Sequence, residues 1–351
     1  MGRHVAGDMP ELDRFVEEAC AEIGAEIDAL RIPRLAGVVL GGGYGRGEGG
    51  VVNCEIVELS NNGNEEMGIA GDNGALDNGY FHNSTIPQLS NDLDFFAITE
   101  DGVPEANTVA SIAAVLEPVS KRWTERLGVD VDFAVKTPWR LKHDESRLMV
   151  QELVHGYFDV AGRNGEELFA GIERREPSRF PLGEATRLLM NRGMGLLLAK
   201  EAAGGGAPAS GRADDFINRN INKCVLGAGD AKLIARGEYR WKAEDRAAAL
   251  GDPLYAAAVE WKFRPKENPV CDWEKAREIW LAAEEEVSRS PSSSSRTLRN
   301  ALRWLVRRRT IGGFSTFGLE PELRVLGKIS AAILGRDGIS KALRRDWEVF
   351  N

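Results

Sequence analysis

Apolar side chains follow two different periods along the first half of the chain. From residue 9 to residue 31 they recur every three or four positions, which predicts an amphipathic helix. Short apolar runs predict buried strands at Leu35–Leu40 and Leu93–Thr99, and strict alternation predicts another strand over 129–135. A helical period returns over 107–127, between the last two strands. This order predicts a small α/β unit.

The second half of the chain shows helical periods almost throughout, at 184–200, 216–236, 252–264 and 273–288. We therefore expect an α/β (α+β) core with a mixed sheet over residues 1–175, followed by an α-helical domain over 176–288. A Ser-rich linker and a basic helical segment are expected over 289–351. Within the first domain, residues 51–90 are rich in Asn and Gly and show little period. Because so long a stretch without regular structure is uncommon in a compact domain, we interpret it as a functional or mobile insertion.

Charge is distributed unevenly over the 351 residues. The net charge of −9 divides into +8 for residues 289–351 and −17 for the rest of the chain. Binding along duplex nucleic acid requires Lys and Arg to neutralise phosphates, so the acidic body argues against that class of partner. The basic C-terminal segment leaves a small anionic partner open.

The chain carries no recognisable signal for export or membrane insertion. No apolar run is long enough to span a membrane, and the first residues lack the apolar core of a secretory signal. The cysteines lie far apart and form no CxxC pair, so we expect free thiols in a reducing, cytoplasmic setting rather than disulfides or a zinc site. They are Cys20, Cys54, Cys224 and Cys271.

A glycine-rich loop, residues 41–50, follows the first predicted strand. Backbone amides at such a strand end are suited to cradling phosphate groups. The loop is not a P-loop, because Gly47 is followed by Glu48 and Gly49 where that motif needs Lys and then Ser or Thr. It matches the dinucleotide fingerprint only formally, since no clear helical period starts after it.

Two pairs of aspartates stand at the starts of two predicted strands, Asp92 with Asp94 and Asp130 with Asp132. Alternate residues of a strand share a face, so the members of each pair point the same way, about 7 Å apart. Carboxylates among Val, Leu and Phe need a cation, which arginine or a divalent metal would supply. Hard oxygen ligands suit Mg²⁺, and two such ions would hold the attacking and leaving oxygens of a phosphoryl or nucleotidyl transfer.

These motifs, in this order, resemble those of the DNA polymerase β-like nucleotidyltransferase superfamily. The usual opening of that family, Gly-Ser-Tyr/Phe-Ala-Arg-Gly-Glu, is similar to the run from Gly42 to Glu48, which reads GGYGRGE. The likeness covers about residues 35–136 and continues through the Asp-x-Asp pair to the third acid. Gly43 stands where Ser is commoner, and the spacing from the glycine motif to Asp92 is longer than usual in the family.

The resemblance implies metal-dependent transfer of a nucleoside monophosphate from an NTP. The residues implied to bind the nucleotide are Gly42, Gly43, Tyr44 and Arg46. Asp92 and Asp94 would bind Mg²⁺. Asp132, in preference to Asp130, would complete a two-ion site and assist deprotonation of an acceptor hydroxyl.

The resemblance leaves the acceptor open between a sugar-like or other small molecule, a protein side chain and an RNA end. The acidic body favours a small molecule or a protein over a long polynucleotide. An alternative function, from another class, is a regulator or antitoxin-like protein that keeps this fold and acts through a protein partner.

Overall fold

The computed structural model divides the chain into two compact units, each with its own hydrophobic core. Unit 1 contains Met1–Glu145, Met149–Arg174 and Phe263–Pro265, and unit 2 contains Ser146–Leu148, Arg175–Lys262 and Lys266–Asn351. The residues that the structure describes are 2–53, 87–102, 105–205, 213–290, 321–336 and 338–348. The break between residues 174 and 175 lies beside the predicted domain boundary at 175.

Unit 1 is built from a four-stranded sheet, a short ribbon and six helices in its described part. Its strands are β1 (Leu35–Leu40), β2 (Val51–Asn53), β3 (Pro87–Leu89), β4 (Leu93–Thr99), β5 (Val131–Lys136) and β6 (Phe158–Gly162). Its helices are α1 (Pro10–Leu30), α2 (Gly42–Gly45), α3 (Glu105–Leu127), α4 (Pro138–His143), α5 (Leu148–His155) and α6 (Gly165–Leu168).

The sheet is mixed, with strand order β5-β4-β1-β6. β1 runs antiparallel to both β4 and β6, whereas β4 runs parallel to β5. β2 and β3 form a separate antiparallel ribbon. The predicted mixed sheet is therefore confirmed, and β1 and β4 have their predicted bounds.

Two hydrophobic cores lie on opposite faces of this sheet, because side chains alternate along each strand. Leu93, Phe95 and Ala97 of β4 belong to a core shared with α1 and α3. Phe96 and Ile98 belong to a second core, shared with α4, α5 and the end of α6. Burial on both faces explains why β4 is apolar at nearly every position.

Unit 2 is helical in its described part, which confirms the predicted helical C-terminal region. Its helices are α7 (Leu182–Ala203), α8 (Ala213–Arg236), α9 (Ala243–Leu250), α10 (Pro253–Phe263), α11 (Trp273–Arg289), α12 (Pro321–Ile333) and α13 (Lys341–Glu348). Trp280 of α11 is fully buried, and its indole N–H donates to the carbonyl of Leu189 in α7 at 2.8 Å. This bond satisfies the polar edge of the largest side chain in the helical core.

Two predicted segments lie mostly or wholly outside the described residues. They are the Asn/Gly-rich insertion at 51–90, of which 54–86 is not described, and the linker and basic segment at 289–351, of which 291–320, 337 and 349–351 are not described. Among the helices that the structure does describe, none has the length and apolar character needed to cross a membrane.

Gly24 of α1 lies against β6 with no room for a side chain, since a Cβ there would overlap the carbonyl oxygen of Val160. Gly24→Ala is therefore expected to lower the free energy of unfolding by about 1–3 kcal/mol through overpacking, measured by urea denaturation of the full chain. Gly171→Ala is the control, because nothing lies within 4 Å of a Cβ at that position, and its effect should stay within about 0.5 kcal/mol. Equal effects of the two substitutions would contradict the packing of α1 on β6 at Gly24.

Candidate functional site

The ribbon of β2 and β3 closes the predicted insertion at its base. Val51 pairs with Leu89, and the N–H of Ser90 donates to the carbonyl of Gly50 at 3.1 Å. The chain therefore leaves and re-enters the domain at neighbouring points. The long spacing in sequence does not carry Asp92 away from the glycine loop.

The glycine loop bends from the end of β1 into the one-turn helix α2. The N–H of Gly41 donates to the carbonyl of Asp94 at 2.8 Å, so the loop begins beside the acid strand. Gly42 has a φ of 60°, and a Cβ at this position would collide with Oδ2 of Asp94. Glycine is thus required at residue 42 both by its left-handed backbone and by the close carboxylate. At Gly43 a Cβ would instead lie 3.2 Å from the carbonyl oxygen of Glu48.

Tyr44 is fully buried beneath the loop. Its hydroxyl donates to the carbonyl of Gly50 at 2.7 Å and accepts from the N–H groups of Ser90 at 3.1 Å and Asn91 at 3.4 Å. One side chain therefore ties the glycine loop to both ends of the insertion and to the residue before Asp92. The structure gives the Tyr44 side chain a positioning role, and the contact of this residue with a nucleotide stays a prediction.

Arg46 is paired with two glutamates at the end of the glycine loop. Its guanidinium lies 3.8 Å from the carboxylate of buried Glu48 and 3.4 Å from that of Glu152 in α5. The stem of Arg46 also packs on Gly156, where a Cβ would overlap the Cγ of Arg46. These contacts fasten the loop to α5, a helix that the sequence pattern did not reveal.

The N-terminal residues pack under the same loop. Val5 forms a β-bridge with Gly49, and Nδ1 of His4 donates to the carbonyl of Tyr44 at 3.1 Å. The carboxylate of Asp13 in α1 accepts three backbone N–H groups of this segment, at 2.7 to 3.0 Å. Burial lowers the pKa of His4, which favours a neutral ring with Nδ1 as the donor.

All four predicted acids lie at one end of the parallel pair β4 and β5. Asp94 and Asp132 are register partners, so their side chains leave neighbouring strands next to each other. Asp92 and Asp130 each come one residue before the start of their strand, and both lie close enough to Asp132 for their charges to act on it. Asp94 is half-buried, and the other three are exposed. The structure thus brings together the two aspartate pairs that the sequence singled out.

The electrostatics of this cluster are unfavourable without a cation. Although the residue is exposed as a whole, partial desolvation of its carboxyl group raises the pKa of Asp132, and the charges of Asp130 and Asp92 raise it further. Within the part of the chain that the structure describes, no cationic side chain forms an ion pair with Asp92, Asp130 or Asp132. These three carboxylates therefore carry negative charge that a bound cation would offset.

The donor chemistry of the cluster fits a hard divalent cation, because neighbouring carboxylates are the ligands that Mg²⁺ prefers. Asp92, Asp94 and Asp132 are the predicted ligands, with Asp130 as the alternative third acid. Among the described residues, no three side chains of His, Cys, Asp or Glu are gathered around one point as a complete ligand set. The type of donor therefore fits the ion, and the acids lie near one another without forming a complete ligand set.

Comparisons of the chain with protein-family models, with curated proteins and with solved structures give no match. What the site does must therefore be inferred from its residues and their geometry. That geometry consists of a glycine loop in contact with an acid strand, and of four acids on two neighbouring strands.

Asp132→Asn is expected to stabilise the metal-free chain at neutral pH. Folding raises the pKa of Asp132, so the folded chain favours the protonated carboxyl group. The stability that this group contributes is present below its unfolded pKa and is lost as the pH rises through its folded pKa. The variant should melt at a higher temperature than the wild type at neutral pH, and the difference should vanish near pH 3, where the carboxyl group is protonated in both states. Thermal unfolding over a pH series measures both. A gain that persisted at low pH would show that the charge is not its cause.

Tyr44→Phe removes only the hydroxyl that joins the loop to the ends of the insertion. We expect a loss of about 1–3 kcal/mol in the free energy of unfolding, because buried backbone groups lose their partner. Tyr157→Phe is the matched control, since the hydroxyl of Tyr157 donates to the exposed carboxylate of Glu166, and its effect should stay within about 0.5 kcal/mol. Urea denaturation measures both variants. A Tyr44→Phe variant as stable as the control would contradict the positioning role.

Proposed function

We propose that this chain is a metal-dependent nucleotidyltransferase that moves a nucleoside monophosphate from an NTP to a small-molecule or protein acceptor. The observation that carries the proposal is the contact between Gly42 and the carboxylate of Asp94. It holds a phosphate-binding type of loop against an acid strand, although the insertion separates the two in sequence. The likeness to the DNA polymerase β-like superfamily supports the proposal through these same residues.

The glycine loop is the proposed triphosphate site. The amides of Gly42 and Gly43 open the one-turn helix α2, so neither has an acceptor within that helix. Amides in this position favour the anionic oxygens of the β and γ phosphates. Arg46 is the predicted cationic residue of this loop, and Glu48 and Glu152 share its charge and hold its guanidinium at the end of the loop.

The acid cluster is the proposed Mg²⁺ site. Asp92, Asp94 and Asp132 would hold the ions, with Asp130 as the alternative to Asp132. When bound, Mg²⁺ would offset the negative charge of the triphosphate and of the leaving pyrophosphate. The close approach of Gly42 to Asp94 allows one nucleotide to reach the loop and the acids together.

The proposed transfer forms one bond and breaks one at the α-phosphorus. The acceptor oxygen bonds to this phosphorus as its bond to the α–β bridging oxygen breaks, and pyrophosphate leaves with the electron pair. We assign the acceptor proton to the carboxylate of Asp132. This residue lies on the outer strand of the sheet and is exposed, so it is open to an acceptor approaching from solvent.

Calorimetric titration of the full chain with ATP, CTP, GTP and UTP, with and without Mg²⁺, tests the proposal. The wild type should bind at least one nucleotide only when Mg²⁺ is present. Asp94→Asn should weaken that binding by more than about tenfold, since even groups behind the direct ligands cost roughly that much when removed. Asp101→Asn, at an exposed turn after the other end of β4, is the matched control and should bind as the wild type does.

Nucleotide binding by two glycine variants, measured in the same way, tests the role of the loop. Gly42→Ala should abolish nucleotide binding, because its Cβ displaces the Asp94 carboxylate and its φ of 60° disfavours alanine. Gly43→Ala, whose Cβ meets only a carbonyl oxygen at 3.2 Å, should retain more of it. If the wild type binds none of the four nucleotides in Mg²⁺, the proposed function is rejected in favour of a scaffold that acts through a protein partner.

A further inference from the structure

The outer strand of the mixed sheet, β5, has one edge that no strand of the described chain covers. The N–H of Leu93 in β4 donates to the carbonyl of Asp130 at 2.8 Å. Together with the parallel register of the two strands, this bond fixes the direction of every backbone group in β5. The even-numbered residues bond to β4, and Val131, Phe133 and Val135 turn their N–H and C=O groups outward.

Helix α3 covers the first of these three outward positions. The N–H of Val131 donates to Oγ1 of Thr124 at 3.0 Å, and Oγ of Ser120 donates to the carbonyl of Val131 at 2.6 Å. The outward backbone groups of Phe133 and Val135 have no hydrogen-bond partner among the described residues. The open edge is thus two residues long, and such an edge is a template for another strand.

A shallow groove of about 440 Å³ lies beside the open edge. Its lining includes Ala110, Ala113 and Ala114 of α3 and the ring of Phe133. The three alanines leave space beside β5, and Leu116, Glu117 and Ser120 complete the lining. Neither a proline nor a charged side chain protects the edge over residues 133–135, which read Phe, Ala and Val.

We propose that this edge pairs with β5 of a second copy of the chain, antiparallel and about a two-fold axis at Ala134. Phe133 then lies opposite Val135 of the second copy, and the two residues with open groups satisfy each other on both sides of the axis. The same register places Asp132 opposite Lys136 of the second copy, twice by symmetry.

The alternative registers are less favourable on the same observations. A shift that sets Phe133 opposite itself would need the backbone groups of Val131, which α3 already occupies. A shift that sets Asp132 opposite itself would face two like charges across the axis. Of these three registers, the one centred on Ala134 uses the open groups and pairs opposite charges.

The pairing would join the four-stranded sheets of the two copies into a single sheet of eight strands. It would also place Lys136 of the second copy beside Asp132, at the acid cluster, where no ion pair from within the described chain reaches Asp92, Asp130 or Asp132. The second copy would thus contribute a cation to the candidate site. The pairing itself rests on the backbone edge and does not depend on the proposed nucleotidyl transfer.

Sedimentation equilibrium of the full chain, without added metal or nucleotide, tests the pairing. At a protein concentration of roughly 100 µM, the measured mass of the wild type should approach twice the chain mass of 38.4 kDa. This corresponds to a modest affinity for a specific interface. Val135→Pro removes an N–H that the protein's own sheet does not use, so the variant should fold, with an unchanged far-UV circular dichroism spectrum, and should sediment as a monomer. A monomeric wild type, or a folded Val135→Pro variant that is still a dimer, overturns the proposal.

Charge variants test the register. Lys136→Glu should raise the dissociation constant about tenfold or more, because it sets two like-charge pairs across the axis. The double variant Asp132→Lys with Lys136→Asp restores opposite charges in reverse order and should return the constant to within about threefold of the wild-type value. A double variant as weak as the single one would overturn the register centred on Ala134.

Discussion

The buried hydroxyl of Tyr44 bonds to three backbone groups that come from either side of the insertion. A buried hydroxyl with three partners has little freedom to move, because any displacement leaves polar groups unsatisfied in a place that water does not reach. The start of the acid strand is therefore fixed relative to the glycine loop at the base of the insertion. The contact of Gly42 with Asp94 depends on this arrangement.

The sheet supplies the second constraint on the candidate site. Phe95 and Phe96 anchor β4 in hydrophobic cores on both of its faces, so Asp94 cannot withdraw from its register partner Asp132. The like charges at this end of β4 and β5 therefore stay close together, and their repulsion lowers the stability of the metal-free chain. The cation site that we propose is thus held in place by two cores, and its own charges oppose one another.

The same outer strand that carries Asp132 also has the open edge. Its alternation sends Asp132 toward the candidate site, while the backbone groups of Phe133 and Val135 point out of the sheet. One strand thus connects the chemistry that we propose with the surface that we propose for a second copy. Asp132 and Lys136 lie on one face of this strand, because residues four apart on a strand share a face. The same charge pattern therefore bears on the candidate site and on the proposed pairing with a second copy.

The sequence by itself determined the features that depend on local periods. The apolar runs of β1 and β4 gave their bounds, since strands buried on both faces need apolar residues throughout, and alternation placed the aspartates of each pair on one face. Strand β6 escaped prediction because only one of its five residues is buried. The register of Asp94 with Asp132 and the roles of Tyr44 and Glu152 were decided by the tertiary structure alone. A period depends on each residue's neighbours in the chain, whereas these contacts depend on which distant surfaces pack together.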